Sequence, residues 1–148
     1  MGTFISHSPV ETESLGEQWG RDALPGLVIG LSGDLGAGKT QLVKGFARGL
    51  DITSRIHSPT FALINIYEGG RMPLFHLDLY RLETREQILG AGLEEYFKPD
   101  GVAVIEWAER WFKEASGAGG QGPGAVRRVT IETVSEMERR IVYEDTGA

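Results

Sequence analysis

Two hydrophobic patterns alternate along this chain. The first is a stripe at helical spacing. Leu15, Trp19 and Ala23 recur every four residues, which places them on one helix face. The helix starts at Ser8-Pro9-Val10-Glu11. Ser8 suits the cap, Pro9 the first helical position and Glu11 the capping box. Pro25-Gly26 ends it. Leu42, Val43, Phe46, Ala47 and Leu50 form a second stripe, in a helix from Lys39 to Leu50. Residues 83–97 predict a third helix, interrupted by Gly90 and Gly92, and residues 108–115 a short fourth.

The second pattern is a short apolar run or a strict alternation. Leu27 to Leu31 and Val102 to Ile105 are unbroken runs rich in strand formers. They predict strands buried on both faces, as in a parallel sheet under helices. Ala62 to Tyr67 and Pro73 to Leu79 flank Glu68-Gly69-Gly70-Arg71, and the Gly-Gly pair predicts an antiparallel hairpin. Val126 to Val134 and Arg139 to Tyr143 alternate around Ser135-Glu136-Met137-Glu138, which predicts a closing hairpin. Residues 117–124 are glycine-rich, contain Pro123 and read as a flexible connector within one domain spanning 1–148. The segment before Ser8 has no basic start followed by a long apolar stretch, so it does not read as a secretory signal. It is assigned no element.

Composition narrows the class. The chain has 148 residues, 41% hydrophobic and 24% charged, enough for one soluble domain with its own core. No apolar run approaches the length of a membrane span. Cysteine is absent, which excludes disulfides and thiolate metal sites and suits the cytoplasm. The formal net charge of −6 argues against a broad nucleic-acid surface of its own, because phosphate neutralisation needs a basic excess. A local contact, or a partner that holds the nucleic acid, remains compatible with it.

The strongest chemical signal is Gly33-Asp34-Leu35-Gly36-Ala37-Gly38-Lys39-Thr40, followed by Gln41. Phosphate oxygens need several donors converging on a small volume. Backbone N–H groups do this where the chain turns tightly and no Cβ blocks approach, which Gly33, Gly36 and Gly38 allow. The following helix adds its unpaired N–H groups and its dipole. Lys39 supplies a cation for the outer phosphates, and the Thr40 hydroxyl is placed to ligate magnesium. Strand before and helix after is the context that a phosphate loop requires. No Asn-Lys-x-Asp segment occurs, which favours adenine over guanine.

A phosphate-loop protein needs a carboxylate at a neighbouring strand end. Glu106 follows one predicted strand and Asp78 ends another. We expect Glu106 at the metal and Asp78 positioning water or metal-bound water. Ser58-Pro59-Thr60 reads either as an ordinary turn or as a loop carrying a hydroxyl to the γ-phosphate. Trp107 reads as a core anchor or as a cover for nucleotide or partner. Arg81 and Arg110 read as surface ion pairs or phosphate contacts. His7, His57 and His76 show no metal-ligand spacing and read as structural or solvated.

These pieces together resemble the TsaE family, the ATPase accessory subunit of the bacterial machinery that makes threonylcarbamoyladenosine in tRNA. The resemblance rests on the phosphate loop, Ser58-Pro59-Thr60-Phe61, His76-Leu77-Asp78-Leu79-Tyr80-Arg81, Gly92-Leu93-Glu94-Glu95-Tyr96-Phe97 and Val104-Ile105-Glu106-Trp107. It implies an α/β, three-layer P-loop NTPase fold with a mixed, mostly parallel central sheet. It also implies weak hydrolysis of ATP with magnesium, and TsaD and TsaB as partners that hold most of the tRNA. Carried onto this chain, Thr40 and Glu106 become metal ligands. Lys39, Asp78, Thr60 and Trp107 become residues of hydrolysis or coupling, and Ser8 and Pro9 lie near the adenine. The competing class is a small-molecule P-loop kinase, which generally carries an arginine-bearing lid. No such insertion is seen.

Overall fold

The computed structural model describes residues 2–33, 38–56, 63–97, 100–108 and 125–147. In chain order the elements are β1 (Gly2–Ser6), α1 (Pro9–Asp22), β2 (Leu27–Gly33), α2 (Lys39–Gly49), β3 (Ile64–Tyr67) and β4 (Leu74–Asp78). Then come α3 (Arg85–Gly90), a 3-10 turn (Leu93–Phe97), β5 (Val102–Glu106), β6 (Ala125–Thr133) and β7 (Arg139–Gly147). The seven strands form one sheet in the order β1-β7-β6-β2-β5-β4-β3.

The two unbroken apolar runs, β2 and β5, pair parallel at the centre, with β6 and β4 parallel outside them. The β3–β4, β6–β7 and β1–β7 pairs are antiparallel. Thus β1, β6, β2, β5 and β4 run one way and β3 and β7 the other: the mixed, mostly parallel sheet that was expected. Period-two alternation divides the core between its faces. Ile29, Leu31 and Val104 meet Trp19, Leu42 and Phe46 of the first two helices. Val28, Leu77 and Ile105 meet Ile88 of α3 and Leu93 of the 3-10 turn. Helices on both faces of a sheet make three layers.

The predicted cap of α1 is present: Ser8 Oγ accepts the Glu11 N–H at 3.2 Å. The return arm differs. Glu11 Oε1 accepts the N–H of His7, one residue before the cap, at 3.1 Å. Residues 83–97 are not one helix but α3 and the 3-10 turn, separated near Gly92, whose φ is +76°. The predicted helix at 108–115 and connector at 117–124 lie beyond Ala108 and outside the described residues.

Strand β1 has no counterpart in the sequence reading. Phe4 and Ile5 are adjacent and do not alternate, and the partner strand β7 lies at the far end of the chain. Tertiary pairing makes this strand, not a local signal.

Helices α1 and α2 touch through glycine. A Cβ on Gly16 would lie 2.2 Å from the Leu42 carbonyl oxygen, and one on Gly45 1.9 Å from that of Glu13. One on Gly49 would lie 2.2 Å from the Glu17 oxygen. Glu13 meets Gly45 and Glu17 meets Gly49, so the helices run in the same direction. Both therefore begin at the same end of the sheet.

Candidate functional site

That end is where the parallel strands terminate, the usual ligand side of an open α/β sheet. A cavity of about 570 Å³ opens there. Gly38, Lys39, Thr40 and Gln41 form one wall. Asp78, Tyr80, Glu106 and Trp107 form a second. Ser8, Pro9 and Thr12 of α1, with Glu136, Met137 and Arg139 of the β6–β7 hairpin, close the far side.

The loop wall starts from backbone that favours glycine. Gly33 has φ +148° and Gly38, the residue before α2, has φ +98°. At Gly33 a Cβ would also lie 2.6 Å from the Ile131 carbonyl oxygen of β6. Lys39 is only 5% exposed, an unusual burial for lysine. Its Nζ donates to the Gly33 carbonyl at 2.8 Å and sits 4.4 Å from the centre of the Trp107 ring. Among the described residues no carboxylate reaches it at ion-pair distance. A buried cation held by a carbonyl and a ring is suited to anionic ligand oxygens.

The carboxylate wall comes from adjacent strand ends. Asp78 and Glu106 are partners in the β4–β5 register, and both are buried. Asp78 Oδ1 accepts the Tyr80 N–H at 2.9 Å. Glu106 Oε2 lies 2.5 Å from His76 Nε2. Among the described residues each carboxylate thus has one oxygen engaged by the protein and a second without a protein hydrogen bond. Burial, reinforced by Glu106, holds the Asp78 carboxyl above the usual carboxylate range, while the Tyr80 N–H and Lys39 pull it down. Two buried like charges side by side favour a cation between or beside them.

The donor set fits magnesium and a triphosphate. Magnesium usually takes one or two carboxylates, keeps several waters and shares phosphate oxygens. The Thr40 hydroxyl, two acidic side chains and a buried lysine match that need. No group of three or more His, Asp or Glu ligands exists among the described residues.

Trp107 has the contacts expected of a core anchor, and it also lines the cavity. It is partly buried against the second core cluster, and its ring lies tilted at 50° to that of Tyr80, with centroids 4.9 Å apart. Its φ is +60°, the left-handed region that costs a bulky residue on the order of 1–3 kcal/mol. That backbone aims the ring across Lys39.

The structure brings together Ser8, Pro9, Gly38, Lys39, Thr40, Gln41, Asp78, Glu106 and Trp107, with Gly33 behind Lys39. Asp34, Leu35, Gly36 and Ala37 lie outside the described residues, as do His57, Ser58, Pro59, Thr60 and Arg110. Arg81 is exposed and does not line the cavity. His7 is exposed, with its ring on Glu11. Sequence reasoning missed His76, which is fully buried and touches Glu106. The available signal was His76-Leu77-Asp78: residues two apart on a strand share a face. It also missed Thr12, Tyr80, Glu136, Met137 and Arg139.

Comparisons with known proteins bear on the family and the fold. The family described as "Threonylcarbamoyl adenosine biosynthesis protein TsaE" matches residues 6–141. A TsaE from Bacillus subtilis, named as a tRNA threonylcarbamoyladenosine biosynthesis protein, is 39% identical over 95% of this chain and 83% of its own length. One of the same name from a Nostoc species is 53% identical over 67% of this chain and 63% of its own. The crystal structure of Bacillus subtilis YdiB superposes with a TM-score of 0.77 at 35% identity, covering 99% of this chain and 86% of that one. With a family match across almost its whole length and these relatives beside it, the chain belongs to the TsaE family.

Proposed function

We propose that this chain binds ATP with magnesium and hydrolyses it slowly, as an accessory subunit of tRNA threonylcarbamoyladenosine modification in the cytoplasm, acting with TsaD and TsaB. The observation that carries the proposal is the buried Lys39 facing the Asp78–Glu106 pair across one cavity. In this reading Lys39 neutralises the outer phosphates, and Thr40 and Glu106 hold magnesium. Asp78, with Thr60, orients the attacking water. Positioning and charge stabilisation account for most catalysis of phosphoryl transfer. The names of the relatives support the pathway, and the net charge of −6 supports tRNA being held mainly by the partners.

The experiment is phosphate release from MgATP, measured alone and with TsaD and TsaB, beside tRNA modification by the same mixture. The reading predicts slow release alone, stimulation by the partners, and modification that fails with Lys39→Ala. Phosphate transferred to a small metabolite would favour the kinase alternative. No stimulation and full modification without this chain would overturn the proposal.

A further inference from the structure

Two aromatic residues leave the sheet side by side at the carboxylate wall. Strand β4 ends at Asp78 and β5 at Glu106, and their pairing runs one residue further. The Leu79 N–H donates to the Glu106 carbonyl at 3.1 Å. Tyr80 and Trp107 come next along the two segments. Each is held through its backbone. Leu79 is fully buried, and the Leu82 N–H closes a turn on the Leu79 carbonyl at 3.0 Å. Tyr80 is the second residue of that turn, and its own N–H donates to Asp78. Trp107 turns away from β5 with φ +60°, and the Ala108 N–H beyond it donates to the Leu31 carbonyl of β2 at 3.2 Å.

Tyr80 is 48% exposed and belongs to neither core cluster. A tyrosine so placed is ordinarily a solvated surface side chain. Here its ring lines the cavity and rests against Trp107. The indole in turn meets the Lys39 ammonium. A line of contacts thus runs from the exposed Tyr80 ring through Trp107 to the buried cation. Lysine has a long, flexible stem, so its ammonium stays in one place only where its contacts hold it. For Lys39 those contacts are the Gly33 carbonyl and the Trp107 ring. The ring is a useful stop only if it is held itself, and β5 has already ended at Glu106.

We infer that Tyr80 is a positioning residue for ATP hydrolysis: its ring braces Trp107, which keeps the Lys39 ammonium where the outer phosphates react. The inference rests on the nucleotide reading above. Small displacements of a group that stabilises transition-state charge lower turnover, even where ground-state binding survives. The brace is a ring contact, so phenylalanine suffices for it. The Tyr80 N–H on Asp78 is backbone and survives a change of side chain, so the substitution isolates the ring.

The test is steady-state phosphate release from MgATP by the full chain alone. The variants are Tyr80→Ala, Tyr80→Phe, Trp107→Ala and the double variant Tyr80→Ala with Trp107→Ala. Circular dichroism confirms that each is folded. The expected result for Tyr80→Ala is kcat lower by about fivefold, about 1 kcal/mol in activation free energy. Its KM should stay within about twofold, the signature of an interaction that matters in the transition state. Tyr80→Phe restores kcat. The double variant is no slower than Trp107→Ala, because two residues acting in one line are not additive. Wild-type kcat in Tyr80→Ala overturns the inference. So does a Tyr80→Phe variant as slow as Tyr80→Ala, or a full further loss when Tyr80→Ala is added to Trp107→Ala. A wild-type chain that does not hydrolyse MgATP overturns the proposed function itself, and this inference with it.

Discussion

His76 Nε2 lies 2.5 Å from Glu106 Oε2, and the imidazole is fully buried. Among the described residues its other nitrogen, Nδ1, has no hydrogen-bond partner. A buried N–H without an acceptor costs more than a buried lone pair. The proton therefore belongs on Nε2, which donates to Glu106 and fixes the carboxylate's rotamer. Residues that orient a metal ligand change metal affinity by about 10–100-fold when removed. Accordingly, His76→Leu should raise the magnesium concentration for half-maximal ATP binding by about tenfold. His76→Gln, which returns an N–H near the same place, should recover most of it. Equal magnesium dependence in the two variants would reduce His76 to a packing role.

Asp78 predicts a trade between stability and function. Its carboxyl is held above the usual range chiefly by burial, so the folded state disfavours its charge. The stability this group contributes is present below its unfolded value and is lost as pH rises through the raised folded value. Asp78→Asn keeps an oxygen for the Tyr80 N–H and removes the charge. Above neutral pH the ligand-free variant should melt at a higher temperature than wild type, yet hydrolyse ATP far more slowly. Scanning calorimetry between pH 4 and 8, with a phosphate assay, checks both halves. A lower melting temperature at pH 8 would refute the burial argument.

The roles of the two carboxylates can be separated. If Glu106 holds magnesium and Asp78 acts on water, Glu106→Ala weakens magnesium-dependent ATP binding more than Asp78→Ala does. Asp78→Ala in turn reduces turnover more than binding. Titration with and without magnesium gives the order, and the reverse order would exchange the assignments.

The glycine contact between α1 and α2 predicts a stability effect far from chemistry. A methyl at Gly45 meets backbone, not a flexible side chain. Gly45→Ala should cost about 1–3 kcal/mol, as overpacking does. Gly90→Ala, in α3 with open space around it, should be neutral or slightly stabilising. Denaturant unfolding of both variants tests this, and equal stability would contradict the contact.

What was legible followed from local chemistry. Unbroken runs at Leu27 and Val102 marked buried strands, and the loop motif pointed to Gly38, Lys39, Thr40 and Gln41, which line the cavity. Strand-end acids pointed to Asp78 and Glu106. What was not legible depended on pairing across the chain. Ser6 meets Arg139 only because β1 joins β7, and Pro9 and Met137, distant in sequence, line one cavity. The spacing His76-Leu77-Asp78 put His76 on the face of Asp78, but its contact with Glu106 depends on β4 lying beside β5. Gly16 and Gly45 weakened their helices by propensity, and only the close packing accounts for them.

The central claim is that Lys39 receives the outer phosphates of ATP. Its most direct measurement is the dissociation constant for MgATP of the wild-type chain and of Lys39→Ala, by calorimetric titration without partners. Charge-assisted hydrogen bonds contribute about 1.5–3 kcal/mol, so the variant should bind at least about tenfold more weakly and show no hydrolysis. Wild-type affinity and turnover in Lys39→Ala would contradict the account.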